Sequence, residues 1–453
     1  MSQMQKIYSC TKCGAQSLKW SGRCLECGSW GTLSEEFQNK NVDKKNVKIS
    51  SAEIINLDNI ESSKLGSKRL KTKNDEIDRV FGGGIIPGSL TLFSGEPGVG
   101  KSTLLSQIIN YLIAEYNVFY ISGEESALQV KDRFLRLNCN IKKINFIQET
   151  NIEKVIAAIL SENKKKENKV DLVIIDSIQT MNSSDILSEP GSISQIRACT
   201  VKFLELAKEN DIAIVLVGHI TKDGQIAGPK SLEHIVDTVI YLESDLKKHF
   251  RILRTTKNRF GSVNEIGIFE MTAYGFREVK NPSAIFLEDN KKEIAGSTIS
   301  AIMEGSRPFF MEIQALVTKT LFGYPQRKAS GFDANRLQVL SSVINKKSSI
   351  NLNNQDIILN IIGGLKINNP SLDLAACFAI LSALLDKKVK YNVIILGEVG
   401  LGGEIRRVPY IKEILKEAAM IGFKEAIIPK VNLKVDKIRL IKMENINEIL
   451  NYL

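Results

Sequence analysis

The chain has 453 residues, 43% of them hydrophobic and 25% charged. That is too long for one hydrophobic core, so about two or three domains of an ordinary soluble globular protein are expected, and disorder is not the expected class. The formal charge of +10 and the pI near 9.0 favour a polyanionic partner only weakly, because lysines spread over a solvated surface give the same total.

No secretory apolar region opens the chain, and the longest strongly apolar stretch, 374–385, is far short of a bilayer span. A cytoplasmic protein with no membrane partner is expected. Seven cysteines, an odd number with four of them clustered, do not suit a disulfide framework.

In chain order, the first unit is CTKCGAQSLKWSGRCLECGSW within residues 1–33, where Cys10, Cys13, Cys24 and Cys27 form two C-x-x-C pairs, each followed by glycine. Two thiolate pairs separated by so short a run suit one structural zinc ion, and glycine permits the tight turn around it. A redox dithiol is the reading that a single pair would favour. Trp20 and Trp30 could stack on bases, but covering the knuckle is the better expectation. Residues 34–65 are polar and read as a linker with one short element at most.

Residues 66–280 alternate apolar strand candidates with helical stretches, the pattern of a largely parallel sheet covered by helices. Within them GEPGVGKST, comprising Gly95, Glu96, Pro97, Gly98, Val99, Gly100, Lys101, Ser102 and Thr103, satisfies G-x-x-x-x-G-K-[ST] between an apolar strand and a helix. The glycines let backbone N–H groups turn towards the phosphates of ATP, Lys101 reaches the β/γ oxygens, and Ser102 ligates Mg2+.

The strand VDLVIIDS ends in Asp176, the expected partner for magnesium; Asp171 at its other end reads as a surface or capping residue. YISGEES delivers Glu124 and Glu125, of which Glu124 is favoured as the water-orienting base and Glu125 as an acidic helix start. IAIVLVGH brings His219 to the same edge, as a nucleotide sensor or as a capping and packing residue. The loop after it, ITKDGQIAGPK, is basic and glycine-containing, as a nucleic-acid contact would be. Cys139, Cys199 and Cys377 stand alone in apolar surroundings and read as core. Residues 281–453 are long enough to fold separately.

The four-cysteine knuckle with KWSGRC, the run DEIDRVFGGGIIPGSLTLFSGEPGVGKST, YISGEES, GHITKDGQIAGPKSLEHIVDTVIYLE and KNRFG at 257–261 together resemble the bacterial RadA/Sms family of RecA-related DNA-repair ATPases, over nearly the whole chain. The resemblance implies an α/β RecA-like P-loop core between an N-terminal zinc knuckle and a C-terminal α+β Lon-protease-like domain. It also implies a homo-hexameric ring on single-stranded and branched DNA, acting in branch migration or helicase-like strand extension beside a partner recombinase. Loops 178–195 and 220–231 would contact the DNA. Lys257 and Arg259, which alternate around Asn258 on an extended segment, would serve a neighbour's nucleotide as trans-acting cations.

In the last domain, KINNPSLDLAACFAILSALL puts Ser371 where Lon has its nucleophile, and Lys412 falls where Lon has its catalytic lysine. An ATP-dependent serine-lysine protease is therefore the rival function. Against it, Asp373 stands two residues after the serine where Lon has glycine, VPYIK replaces the glycine-rich approach to the lysine, and Ser371 after Pro370 suits a helix cap. A zinc-dependent adaptor without enzymatic activity leaves the nucleotide motif unexplained.

Overall fold

The computed structural model describes residues 4–11, 16–17, 19–24, 28–39, 69–165, 169–186, 188–219, 232–244, 250–263, 265–279, 293–321, 323–362 and 367–453. Two units pack separately, one reaching to Glu278 and the other taking in the described residues from Val279 onward.

The N-terminal ribbon pairs β1 (Met4–Cys10) with β2 (Gln16–Ser17) and with β3 (Leu33–Asn39), all antiparallel. Strand β3 carries six residues past Leu33, with Met4 opposite Asn39. The ribbon thus takes in the start of the segment that polarity alone assigns to a linker, because the pairing with β1 rests on backbone hydrogen bonds and needs no apolar alternation along β3.

The nucleotide-motif domain is one nine-stranded sheet. In chain order its strands are β4 (Leu90–Gly95), β5 (Val118–Ser122), β6 (Asn145–Ile147), β7 (Leu172–Asp176), β8 (Ala213–His219), β9 (Thr238–Ser244), β10 (Phe250–Asn258), β11 (Ile266–Thr272) and β12 (Gly275–Glu278). Their spatial order is β12-β11-β10-β9-β4-β8-β7-β5-β6. The strands from β9 to β6 in that order run parallel, and the three at the other end are antiparallel.

Parallel strands covered on both faces must be apolar on both, and β4, β5 and β7 are buried at every position. Leu90, Leu92, Ile121, Val173, Ile175 and Leu216 face one core, while Phe93, Tyr120, Ile174, Val215 and Val217 face the other, the two-residue alternation of a pleated sheet. Helices α1 (Asp75–Val80), α2 (Lys101–Leu112) and α3 (Ala127–Arg136) cover the second face; α4 (Ile152–Asn163) and α5 (Ile193–Asn210) cover the first.

The C-terminal unit is a mixed seven-stranded sheet in the order β15-β16-β14-β13-β17-β20-β21, formed from β13 (Ser297–Glu304), β14 (Arg307–Lys319), β15 (Arg327–Ser330), β16 (Gln355–Ile361), β17 (Val393–Ile395), β20 (Glu425–Pro429) and β21 (Arg439–Met443). A separate two-stranded ladder joins β18 (Glu398–Val399) to β19 (Ile405–Arg406). Helix α6 (Ala334–Lys347) precedes α7 (Asp373–Leu385), whose residues from Asp373 to Ser382 are all buried; α8 (Ile411–Ile421) follows. Among the described residues no helix is long and apolar enough to cross a membrane.

Candidate nucleotide site

Register puts the motif residues at one edge of the sheet. Gly95, the last residue of β4, pairs with His219, the last of β8; Asp176, the last of β7, pairs with Ser122, the last of β5. The carboxyl ends of parallel strands are where open α/β sheets bind ligands. Helix α2 begins there at Lys101 with no side-chain cap and no acidic residue in its first turn. Its first N–H groups and positive dipole end are therefore left for an anion. Gly98 has φ +75 with nothing within 4 Å of an added Cβ, whereas a Cβ on Gly100, φ +106, would lie 2.7 Å from the Phe276 ring.

Lys101 is buried, and its Nζ donates to the carbonyls of Gly95 (2.9 Å) and Glu96 (3.0 Å). Burial lowers its pKa, opposed by the charges of Asp176 and Glu124. A desolvated ammonium under an uncapped helix start, facing two carboxylates, fits triphosphate and magnesium together. Magnesium held there would offset the charge of the phosphates.

Glu124 and Glu125 part company. Glu124 Oε1 accepts from Ser177 Oγ at 2.5 Å and lies 3.8 Å from His219 Nε2, with its side chain 43% exposed. Glu125 forms an ion pair with Arg133. The N-cap of α3 is Ser126, which makes a capping box with Gln129, so the acidic helix start expected at Glu125 is not what forms. Burial, with the nearby Lys101 charge, lowers the pKa of His219 and favours neutral imidazole at pH 7. Asp171 accepts the Asn117 N–H at 2.9 Å, a cap at the opposite edge.

Residues that pattern reading missed lie behind and beside the motif residues. Tyr120 donates to Asp176 Oδ2 at 2.6 Å, and Arg133 NH2 donates to the Tyr120 hydroxyl at 2.7 Å. Burial and the Asp176 charge push the phenol well above its ordinary pKa, so it keeps its proton. Arg251 Nε donates to the Val99 carbonyl at 3.1 Å. The available signals were a lone Tyr in a fully buried strand and an Arg on the buried face of α3.

KNRFG lies elsewhere. Asn258 at the end of β10 pairs with Thr238, and Thr238 with Thr91 near the start of β4, whereas Gly95 pairs with Leu242. Lys257 and Arg259 are thus at the opposite edge from their own P-loop. Asn258 turns inward, its Oδ1 accepting from Phe260 N at 2.9 Å; Arg259 NH1 is 3.5 Å from buried Asp237, and Lys257 Nζ donates to the Glu233 carbonyl. The 178–195 segment is pinned: Lys202 bonds Glu153, Ser183 Oγ (2.9 Å) and Asp185 (2.6 Å), and Gln195 holds Ser183 and the carbonyls of Ile186 and Ser188. Loop 220–231 lies outside the described residues.

In the ribbon, Cys10 and Cys24 are buried at 1% and 2%, while Cys13 and Cys27 lie outside the described residues. Two buried thiols supply half of the donor set that a tetrathiolate zinc site needs. The tryptophans do not cover it: Trp20 is 63% and Trp30 75% exposed. Trp30 is bridged to Arg23, with its ring over Gly22, and so small a sheet has no interior in which to bury an indole.

The rival dyad is not assembled. Ser371 is buried in a 3-10 turn, Lys412 is exposed on α8, and no hydrogen bond joins them. The cap is Asn369, whose Oδ1 accepts from Ser371 N at 3.0 Å, so the capping role expected of Ser371 belongs two residues earlier. Asp373 is fully buried in a two-bond ion pair with Arg336, which also donates to the Val399 carbonyl. Cys139, Cys199 and Cys377 are buried.

Comparison with known proteins accords with this geometry. The DNA repair protein RadA of Bacillus subtilis is 45% identical across 99% of both chains, and that of Rickettsia felis 43% identical across 99% of this chain and 100% of its own. The chain belongs to the RadA family of DNA repair proteins. Another RadA, from Halalkalibacterium halodurans, is 45% identical over 96% of this chain and 94% of its own. The ATPase family model described as KaiC matches residues 70–277, and that of the rubredoxin metal binding domain matches 8–35. The model for subunit ChlI of Mg-chelatase matches 320–432. Membership of the RadA family, with a RecA-like ATPase domain and a zinc ribbon, makes the chain a DNA-repair ATPase.

Proposed function

We propose that the chain is a DNA-dependent ATPase that assembles as a homo-hexameric ring in the cytoplasm and drives branch migration or helicase-like strand extension at recombination intermediates, beside a partner recombinase. Lys101 holds the β/γ-phosphates, Ser102 and Asp176 orient magnesium, and Glu124, steadied by Ser177, orients the attacking water. Zinc in the four-cysteine ribbon is structural, and the pinned 178–195 segment presents to single-stranded DNA.

The observation that carries the ring is the placing of Lys257 and Arg259 at the far edge of the sheet. About four strand residues, roughly 13 Å, separate their level from the P-loop, so they serve a nucleotide only on another protomer. The buried Ser371 and exposed Lys412 favour a scaffold role for the last domain over proteolysis.

Purified protein should hydrolyse ATP faster with single-stranded DNA, form a six-membered ring by native mass spectrometry, and extend a displaced strand on a three-stranded substrate. It should leave casein intact. ATP hydrolysis indifferent to DNA, or casein cleavage lost in Ser371→Ala, would sink this reading.

A further inference from the structure

We propose that Tyr120 and Arg133 are positioning residues of the nucleotide site, a buried relay that fixes the Asp176 carboxylate and ties it to the first turn of α2. The relay rests on the reading of Asp176 and Ser102 as the magnesium-orienting pair, and it deepens that reading.

Four hydrogen bonds connect those two residues through the protein interior. Ser106 Oγ donates to the Ser102 carbonyl (2.7 Å), Arg133 Nε donates to Ser106 Oγ (3.2 Å), Arg133 NH2 donates to the Tyr120 hydroxyl (2.7 Å), and that hydroxyl donates to Asp176 Oδ2 (2.6 Å). A phenol has a single proton. Spending it on Asp176 obliges the oxygen to accept from Arg133, so the direction of the chain is fixed. The third edge of the guanidinium is taken by Glu125, which supplies the counter-charge.

Packing alone does not call for these groups. Tyr120 is fully buried, its ring edge-on to Phe134 (5.8 Å) and stacked on Phe146 (6.2 Å), a space that phenylalanine fills equally well. A guanidinium carried into the interior costs desolvation that an apolar residue avoids. What the pair adds is geometry: Oδ2 of Asp176 is held, and among the described residues its other oxygen accepts no protein hydrogen bond. Rotation of the carboxylate would break the bond from Tyr120, and the planar fork holds that hydroxyl in place by gripping Tyr120, Ser106 and Glu125 at once.

The test uses the full-length protein, a fluorescent ATP analogue titrated with magnesium and again with EDTA, and hydrolysis followed against magnesium concentration. In Tyr120→Phe, metal-free binding should stay within about twofold, while the tightening caused by magnesium falls and half-saturating magnesium rises, each by roughly tenfold. The thermal unfolding temperature should fall modestly, because Arg133 and Asp176 each lose a buried partner, while the variant stays folded. Arg133→Lys should move the same quantities in the same direction, since an ammonium cannot hold three partners in one plane. A folded Tyr120→Phe with wild-type magnesium dependence overturns the relay, as does an equal loss of binding with and without magnesium. Should Tyr120→Phe fail to fold, Arg133→Lys decides by the same two criteria. Asp176→Asn separates the layers: if it keeps magnesium-dependent binding, the site assignment and the relay both fall; if it loses that binding while Tyr120→Phe keeps it, only the relay falls.

Discussion

Mixing two inactive variants tests whether nucleotide sites are shared between protomers. Lys101→Ala removes the only P-loop cation but leaves Lys257 in place; Lys257→Ala does the reverse. Neither change threatens the fold. Lys257 gives up one hydrogen bond, to the Glu233 carbonyl, a loss of about 1 kcal/mol. Lys101 gives up two bonds within a loop that keeps its own backbone turn, Val99 N to Glu96 O. Turnover should fall by roughly 10³-fold in Lys257→Ala, the scale of a trans-acting cation on a transferring phosphoryl group. The ladder pairings fix the alternative: Lys257 stands at the level of β4's start and the P-loop at its end, too far apart for one protomer to use both. In an equimolar mixed ring, a productive interface needs an intact P-loop on one side and an intact Lys257 on the other. That occurs at about a quarter of interfaces, so independently firing sites should restore about a quarter of wild-type hydrolysis. The assay is steady-state ATP hydrolysis with single-stranded DNA after subunit exchange, with native mass spectrometry to verify mixed rings. Mixed rings as inactive as either parent would refute the shared site.

Cys24→Ser should reduce zinc from about one ion per protomer, measured by metal analysis, and destabilise the ribbon while nucleotide binding persists. Glu153 gives a pH dependence: partial burial raises its pKa, but the bonds from Lys202 and Ser183 outweigh this and bring it from the ordinary 4.5 down to about 2. The stabilisation it contributes is therefore complete above pH 4.5 and is lost as pH falls towards 2, so a thermal-stability gap of about 1 kcal/mol between wild type and Glu153→Gln, discounted for solvent screening, should close over that window. A gap that stays constant through acid would exclude the Lys202 anchor. Asp373→Ala should destabilise the C-terminal unit by about 3–5 kcal/mol in urea unfolding, because Arg336 loses its buried partner; a cost below about 1 kcal/mol would show the pair to be incidental.

The candidate nucleotide edge was legible because the chemistry it is read for is local. A phosphate loop needs its glycines, lysine and serine within one strand-to-helix turn, and Asp176 needs only a buried strand to carry it, so GEPGVGKST and VDLVIIDS declare themselves. The choice between Glu124 and Glu125 was not local. It turns on Arg133, eight residues beyond Glu125 on the buried face of α3, and on Ser177 just past the end of the adjacent strand β7, neither of which has a fixed spacing to search for. Tyr120 escaped notice for the same reason, since one hydroxyl in an apolar strand carries no periodicity. Indole burial likewise depends on how much interior a domain has, which the ribbon's composition could not reveal for Trp20 and Trp30.

The C-terminal unit shows the limit from the other side, where a motif is visible and its surroundings decide against it. A serine nucleophile needs an exposed oxygen with a neutral amine in reach. Ser371 instead lies beneath the start of α7, its carbonyl accepting from Gly397 N at 3.2 Å, while Lys412 faces solvent. Asp373, read from sequence as a charge crowding that site, is directed inward, where its carboxylate takes Arg336 and the Val399 N–H and so joins α6, α7 and β18. A carboxylate at that depth is tolerable only with its partners fixed, and fixing them leaves Arg336 and the Ser371 turn no freedom to open. Positions that elsewhere can carry peptide-bond chemistry have here become the joint between two helices and a strand, so substitutions at Asp373 should act on the stability of this unit before they act on any reaction.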